Sequence, residues 1–168
     1  MRRIPLVVWL LLGSTSALAA EDPSGCDKFK WPIELERAAL IAPNRAQLMS
    51  GTELTTLPAS GIRLALIAPG DAKLPSPPER APKEGTFAGF ASFRNAPKAG
   101  LYTIGLSANV WVDVVQDGHF LKPKGFSGAT DCDGIRKALK YELSMGSFAL
   151  QISGAKENSV SIAILPTE

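Results

Sequence analysis

Histidine is nearly absent from this chain: His119 is the only one among 168 residues, beside just two cysteines, Cys26 and Cys132. One imidazole cannot build the two-histidine, one-carboxylate triad that holds a non-haem iron with open positions. As a general base, His119 would need a nucleophile and an orienting group. Ser127 and Ser147 stand outside any G-x-S-x-G context, so no hydrolase motif supplies them. The cysteines lack C-x-x-C spacing, which removes the usual redox and zinc signatures. Asp131 and Asp133 flank Cys132 but fall short of a twelve-residue calcium loop, and a Gly134-ended turn accounts for them. No cofactor is therefore expected. Internal repeats are also missing.

What is present begins with an export pattern. Arg2 and Arg3 precede an apolar run from Ile4 to Leu12, then small residues ending in Ala17-Leu18-Ala19. A charged start, a core too short to span a bilayer and an Ala-x-Ala site describe a signal peptide over residues 1–19. No later segment is long and apolar enough for a membrane span. The chain carries 18 basic and 16 acidic residues, and cleavage would remove two basic ones, leaving the signs balanced. That balance gives no reason to expect a nucleic-acid partner. About 150 residues would remain, enough for one domain with its own core. In a periplasmic or secreted setting the minimal pair Cys26 and Cys132 is expected to form one disulfide.

The expected domain has an N-terminal arm and short helix at 20–60 packed on a β-sandwich at 61–168. Between Pro32 and Pro43, IELERAALIA predicts a short helix, with Ile33, Ala38, Leu40 and Ile41 on one face and Leu35 and Trp31 capping the core. Residues 44–60 are weakly patterned, with one short strand near Thr52–Leu57. Ile62, Leu64 and Leu66 alternate as a strand. Residues 71–85 carry Pro75, Pro77, Pro78 and Pro82, which reads as an extended surface loop and the most mobile part of the chain. Phe87–Phe93 reads as a strand whose small residues let another element approach.

The chain is organised around Gly100–Gly118, GLYTIGLSANVWVDVVQDG. Tyr102, Ile104, Leu106 and Ala108 alternate with polar or small residues, and Val110, Val112 and Val114 alternate with Trp111, Asp113 and Val115. A period of two marks half-buried strands, and Asp117-Gly118 suits a tight turn before His119. A turn through Arg136 precedes a strand to Leu143. Phe148, Leu150 and Ile152, then Val160, Ile162 and Ile164, give two more strands. The fold class expected is mainly β: an antiparallel β-sandwich or jelly roll with one short N-terminal helix.

From about Phe87 to Leu165, the succession GLYTIGLS, WVDVVQDG, a small polar loop, KYELSMGSFALQISG and SVSIAIL resembles the bacterial pre-peptidase C-terminal domain. That resemblance implies a jelly-roll-like sandwich acting as a non-catalytic accessory module. The chain is also similar to small exported proteins with W-V-D-V-V-x-D-G followed by C-x-G-x-R-K, which carry an aromatic-ring dioxygenase label. A lone His119 leaves that chemistry short of ligands.

Trp111 could stack on a sugar ring or a partner's apolar patch if its face is outward. Trp111, Asp113, Asp117 and His119 are therefore the candidate binding residues. Lys122, Lys124, Arg136, Lys137 and Lys140 could form a basic patch but read as a solvated face. The expected function is an exported, non-catalytic binding or accessory protein of the bacterial envelope, its ligand a protein or carbohydrate. An enzyme, either a hydrolase using His119 or a metal-dependent dioxygenase, is the competing class.

Overall fold

The computed structural model describes residues 22–167, and the expected export segment at 1–19 lies outside them. The described chain is mainly β, as the period-two runs led one to expect, with one α-helix. A helical turn at Cys26–Lys28 precedes α1 (Glu34–Ile41), then β1 (Ala46–Leu48), β2 (Thr52–Thr56), β3 (Ile62–Ala65) and β4 (Phe87–Ala96). There follow β5 (Gly100–Leu106), β6 (Trp111–Gln116), β7 (His119–Phe120), β8 (Gly125–Gly128), β9 (Lys137–Leu143), β10 (Gly146–Ala155) and β11 (Ser159–Pro166).

These strands make two sheets, ordered β1-β3-β11-β5-β9-β8 and β2-β4-β10-β6-β7. Strands β5 and β6 belong to different sheets, so the stretch Gly100–Gly118 is the crossing from one sheet to the other, with its bend at residues 107–110. The pairings of the long strands are antiparallel, but β1 runs parallel to β3 and β2 parallel to β4. The sheets are thus mixed, which corrects the wholly antiparallel expectation. The weakly patterned residues 44–60 supply an edge strand to each sheet, and three to five residues are too few to display a period.

Inner faces of the two sheets share one core. Ile62, Leu64, Ile104, Leu106, Tyr141 and Ile162 from one sheet meet Phe93, Val112, Val114, Leu150 and Ile152 from the other. Phe93 and Phe148 stack with ring centroids 4.8 Å apart. Each such side chain contributes about 1.5–3 kcal/mol of transfer free energy.

Helix α1 covers the outer face of the six-stranded sheet over β5 and β11. Its buried stripe is Ile33, Glu36, Ala39 and Leu40, whereas Leu35, Ala38 and Ile41 are exposed. The sequence reading misplaced that face. Ala38 follows Ile33 by five residues, about 140° round the helix, while Glu36 and Leu40 follow the period of 3.6. The helix sits close because Gly105 has no side chain: a Cβ there would lie 2.9 Å from Glu36 Cβ.

Beside the helix, Cys26 and Cys132 form the expected disulfide, with Cα atoms 4.7 Å apart. Cys132 packs with Phe29, Ile33, Leu40 and Ile135 in a second apolar cluster. The arm is stitched further by Gly25 N–H donating to the Thr130 carbonyl (2.9 Å) and Thr130 N–H to the Pro23 carbonyl (2.7 Å).

Two outcomes follow from this layer. The bridge spans 106 residues of chain, a loop worth about 4–5 kcal/mol in the chain-entropy account. The paired change Cys26→Ala and Cys132→Ala should lower stability by about 2–4 kcal/mol, or roughly 5–15 °C in Tm, by denaturation of the two proteins in parallel. Burial holds the Glu36 carboxyl above its ordinary value, against the weaker pull of hydrogen bonds. The folded state then binds this proton more tightly than the unfolded one, so stability is retained at low pH and falls as pH climbs through the raised value. Glu36→Gln should therefore match the parent near pH 4 and exceed it near pH 8, read as Tm against pH.

Candidate functional site

Strand β6 carries the site because its two faces and one edge have different surroundings. Its inner residues Val112 and Val114 enter the core, and its outer residues are Trp111, Asp113 and Val115. Along one edge β10 pairs with it continuously, placing Val112 opposite Ile152 and Asp113 opposite Gln151. Along the other edge, β7 pairs only with Val115 and Gln116. The Val114 carbonyl accepts from Leu121 N–H (2.8 Å), and beyond it this edge has no strand partner among the described residues.

Side chains from the opposite sheet reach that edge. Tyr141 Oη donates to the Val112 carbonyl (3.3 Å) and Lys137 Nζ to the Val110 carbonyl (2.6 Å), both residues lying on β9. Between this edge and β8–β9 opens a cleft of about 690 Å³, within the range of small-molecule sites. Val110, Val112 and Leu139 form its apolar floor, with Phe126 and Trp111 at its sides.

The proline-rich loop forms the outer wall, and it is tied down. The Gln151 side chain pairs with Ser76 twice, accepting from its N–H (2.7 Å) and donating to its carbonyl (3.1 Å). Asp113 accepts from Glu79 N–H through Oδ2 (3.1 Å) and from Trp111 Nε1 through Oδ1 (2.7 Å). Glu79 in turn pairs with Lys122 at 2.9 Å, and the Arg80 guanidinium lies 5.6 Å from the centroid of the Trp111 ring. The loop is therefore a strap across the outer face of the five-stranded sheet. Gln151 and Asp113, only 1% and 3% exposed, are its fastenings.

Electrostatically the cleft is lopsided. Arg80, Lys83, Lys122, Lys137 and Lys156 line it, against the single carboxylate of Glu79. Lys137 is partly buried, and desolvation pulls its ammonium below the ordinary lysine value, with Arg136 and Arg80 adding repulsion. The Phe126 ring centroid lies 5.4 Å from Lys137 Nζ. Burial raises Asp113 above the usual carboxylate range despite its two donors, and raises the Tyr141 hydroxyl strongly.

Of the four candidate binding residues, only Trp111 lines the cleft. Its face is half-covered by Arg80 rather than open. Asp113 does not meet solvent, because its oxygens are used internally to hold the strap. Asp117 sits exposed in the turn after β6, with a left-handed φ of 52°. His119 is exposed on β7 opposite Gln116, five residues along the strand from Trp111 and so roughly 17 Å away. Asp131 accepts from Ser24 Oγ (2.6 Å), and the Asp133 carbonyl accepts from Arg37 Nε (2.6 Å). Among the described residues no three His, Cys, Asp or Glu side chains converge as a metal would require.

The basic residues read as a solvated face divide. Arg136 pairs with Asp22, Lys140 lies 4.7 Å from the Trp31 ring centroid, and Lys122 and Lys137 join the cleft. Sequence reasoning missed the cleft itself and the roles of Phe126, Lys137, Tyr141 and Gln151. One signal was available: a glutamine and an aspartate at matching outward positions of strongly apolar strands, facing a proline-rich segment. Comparison of the sequence with protein-family models and with curated proteins returned no match.

The fastening predicts a local effect. Gln151→Ala removes both bonds to Ser76 and should cost about 1–3 kcal/mol. Hydrogen exchange and limited proteolysis should show the strap opening, with residues 71–85 losing protection before the strands. Equal protection in parent and variant would mean the strap is held by something else.

Proposed function

We propose that the protein is an exported, non-catalytic binding or accessory module of the bacterial envelope, its two sheets arranged as a jelly-roll-like sandwich. Its ligand lies in the cleft beside Trp111. The observation that carries this reading is the cleft: a concavity with an apolar floor, two aromatic walls and a few polar groups around it, which is how small-ligand sites are built. The Cys26–Cys132 bond supports a setting outside the reducing cytoplasm. His119 pairs opposite Gln116 at the far end of β6 and does not line this cleft, so the cleft lends a hydrolase reading no support.

The neutral fluorescent probe N-phenyl-1-naphthylamine tests the site. It should bind saturably, about one molecule per chain, with fluorescence rising as it leaves water. Trp111→Ala and Phe126→Ala should each weaken it severalfold, roughly 1 kcal/mol of lost aromatic contact. His119→Ala should leave it unchanged. Binding that never saturates, or that ignores both aromatic substitutions, would overturn the cleft as the site.

A further inference from the structure

We infer that the cleft takes an apolar molecule bearing one anionic headgroup, with Lys137 as the residue that meets that headgroup. This rests on the cleft being the binding site. Lys137 carries the argument. An ammonium drawn out of water is ordinarily paired with an anion, yet among the described residues no carboxylate lies within ion-pair distance of it. The Val110 carbonyl takes one of its donors, and an ammonium has three. The others are left beside the cavity.

Around Lys137 the balance points the same way. Lys122 is neutralised by Glu79, which is also the only carboxylate lining the cleft. Arg80, Lys83 and Lys156 remain without a carboxylate partner among the described residues, and they come from two segments, the strap and the turn after β10, that the fold brings to one opening. A cationic concavity with low-dielectric walls attracts anions. The floor of Val110, Val112 and Leu139 offers nothing polar from its side chains, so the rest of the ligand must be apolar. A carbohydrate fits less well. Its hydroxyls call for several carboxylate and amide side chains, and here the lining offers one amide, Asn109, and one carboxylate, Glu79, already held by a lysine.

Calorimetry with decanoate, decanol and acetate separates head from tail, alongside displacement of N-phenyl-1-naphthylamine. The intact protein should bind decanoate at least tenfold more tightly than decanol and acetate too weakly to measure. Lys137→Met, which keeps the packed stem, should bring decanoate down to the level of decanol, and Lys137→Arg should restore most of the difference. If decanol binds the unsubstituted protein as tightly as decanoate, the anionic headgroup is wrong while the cleft stands as a site. If the neutral probe binds but neither ten-carbon ligand displaces it, the ligand class is again wrong. If the neutral probe fails to bind as well, both readings fall. The comparison of decanoate with decanol needs no variant, so a misfolded Lys137→Met would not rescue the inference.

Discussion

An unpaired strand edge is the constraint on which the site depends. Backbone carbonyls that turn away from water need donors, and a long bare edge invites pairing with another chain. Strand β6 meets this difficulty because β7 contributes only two residues alongside it. The donors come instead from Tyr141 and Lys137, which reach across from the other sheet. A strand laid along β6 would have filled the space now left between the sheets. Two side chains satisfy the carbonyls and leave the intervening volume open. The cleft and its partly buried ammonium are thus two consequences of one short strand.

Covering the outer faces creates a second dependence. Most β-sheets with one buried face leave the other to solvent, but here both outer faces are occupied. Helix α1 covers one, made possible by Gly105. The strap covers the other, and since prolines cannot supply ladder donors it is bound by side chains. Gln151 acts toward Ser76 as a strand backbone would, one acceptor and one donor from the same amide. Gln116 repeats the arrangement with Ser144, accepting from its N–H (2.9 Å) and donating to its carbonyl (3.0 Å). A buried polar side chain that is fully satisfied fixes a segment in register, whereas a half-satisfied one would be costly.

Much of the fold was readable from the chain, and for a physical reason. Where a strand has one apolar face, as at Phe148–Ile152 or Val160–Ile164, the pleat writes itself into the sequence with period two. The disulfide followed from the scarcity of cysteine. Of the two parallel edge strands, Thr52–Thr56 was expected and Ala46–Leu48 was not, and the parallel direction of neither was readable, since such short strands draw their partners from neighbours rather than from their own pattern. The helix was found but its face was misjudged, because Glu36 lies under it, a carboxylate in a position that hydrophobicity alone assigns to solvent. The cleft escaped altogether. Phe126, Lys137 and Trp111 are separated in sequence and meet only because β6 and β9 sit in facing sheets, and nothing in any one segment records that.

Charge shows why composition was a poor guide to the site. With the expected export segment at 1–19 set aside, basic and acidic residues are equal in number, and that equality gave no reason to expect a nucleic-acid partner. Yet a net charge of zero describes the whole surface and not its parts. Glu53 is spent on Arg94, Asp27 on Lys28 and Asp22 on Arg136, all at positions away from the cleft. Each of these pairs removes one cation with one carboxylate and leaves the balance elsewhere unchanged, so a local excess of cations has to be matched by carboxylates on other parts of the surface. The topology then decides where that excess gathers, by bringing the strap, the segment after β7, strand β9 and the turn after β10 to the same opening. Glu79 joins these parts, since its N–H is held by Asp113 and its carboxylate by Lys122. The strap's fastening on the outer face thereby sets the position of Arg80 over Trp111 at the cleft, and the shape of the site is inseparable from the packing of the face behind it.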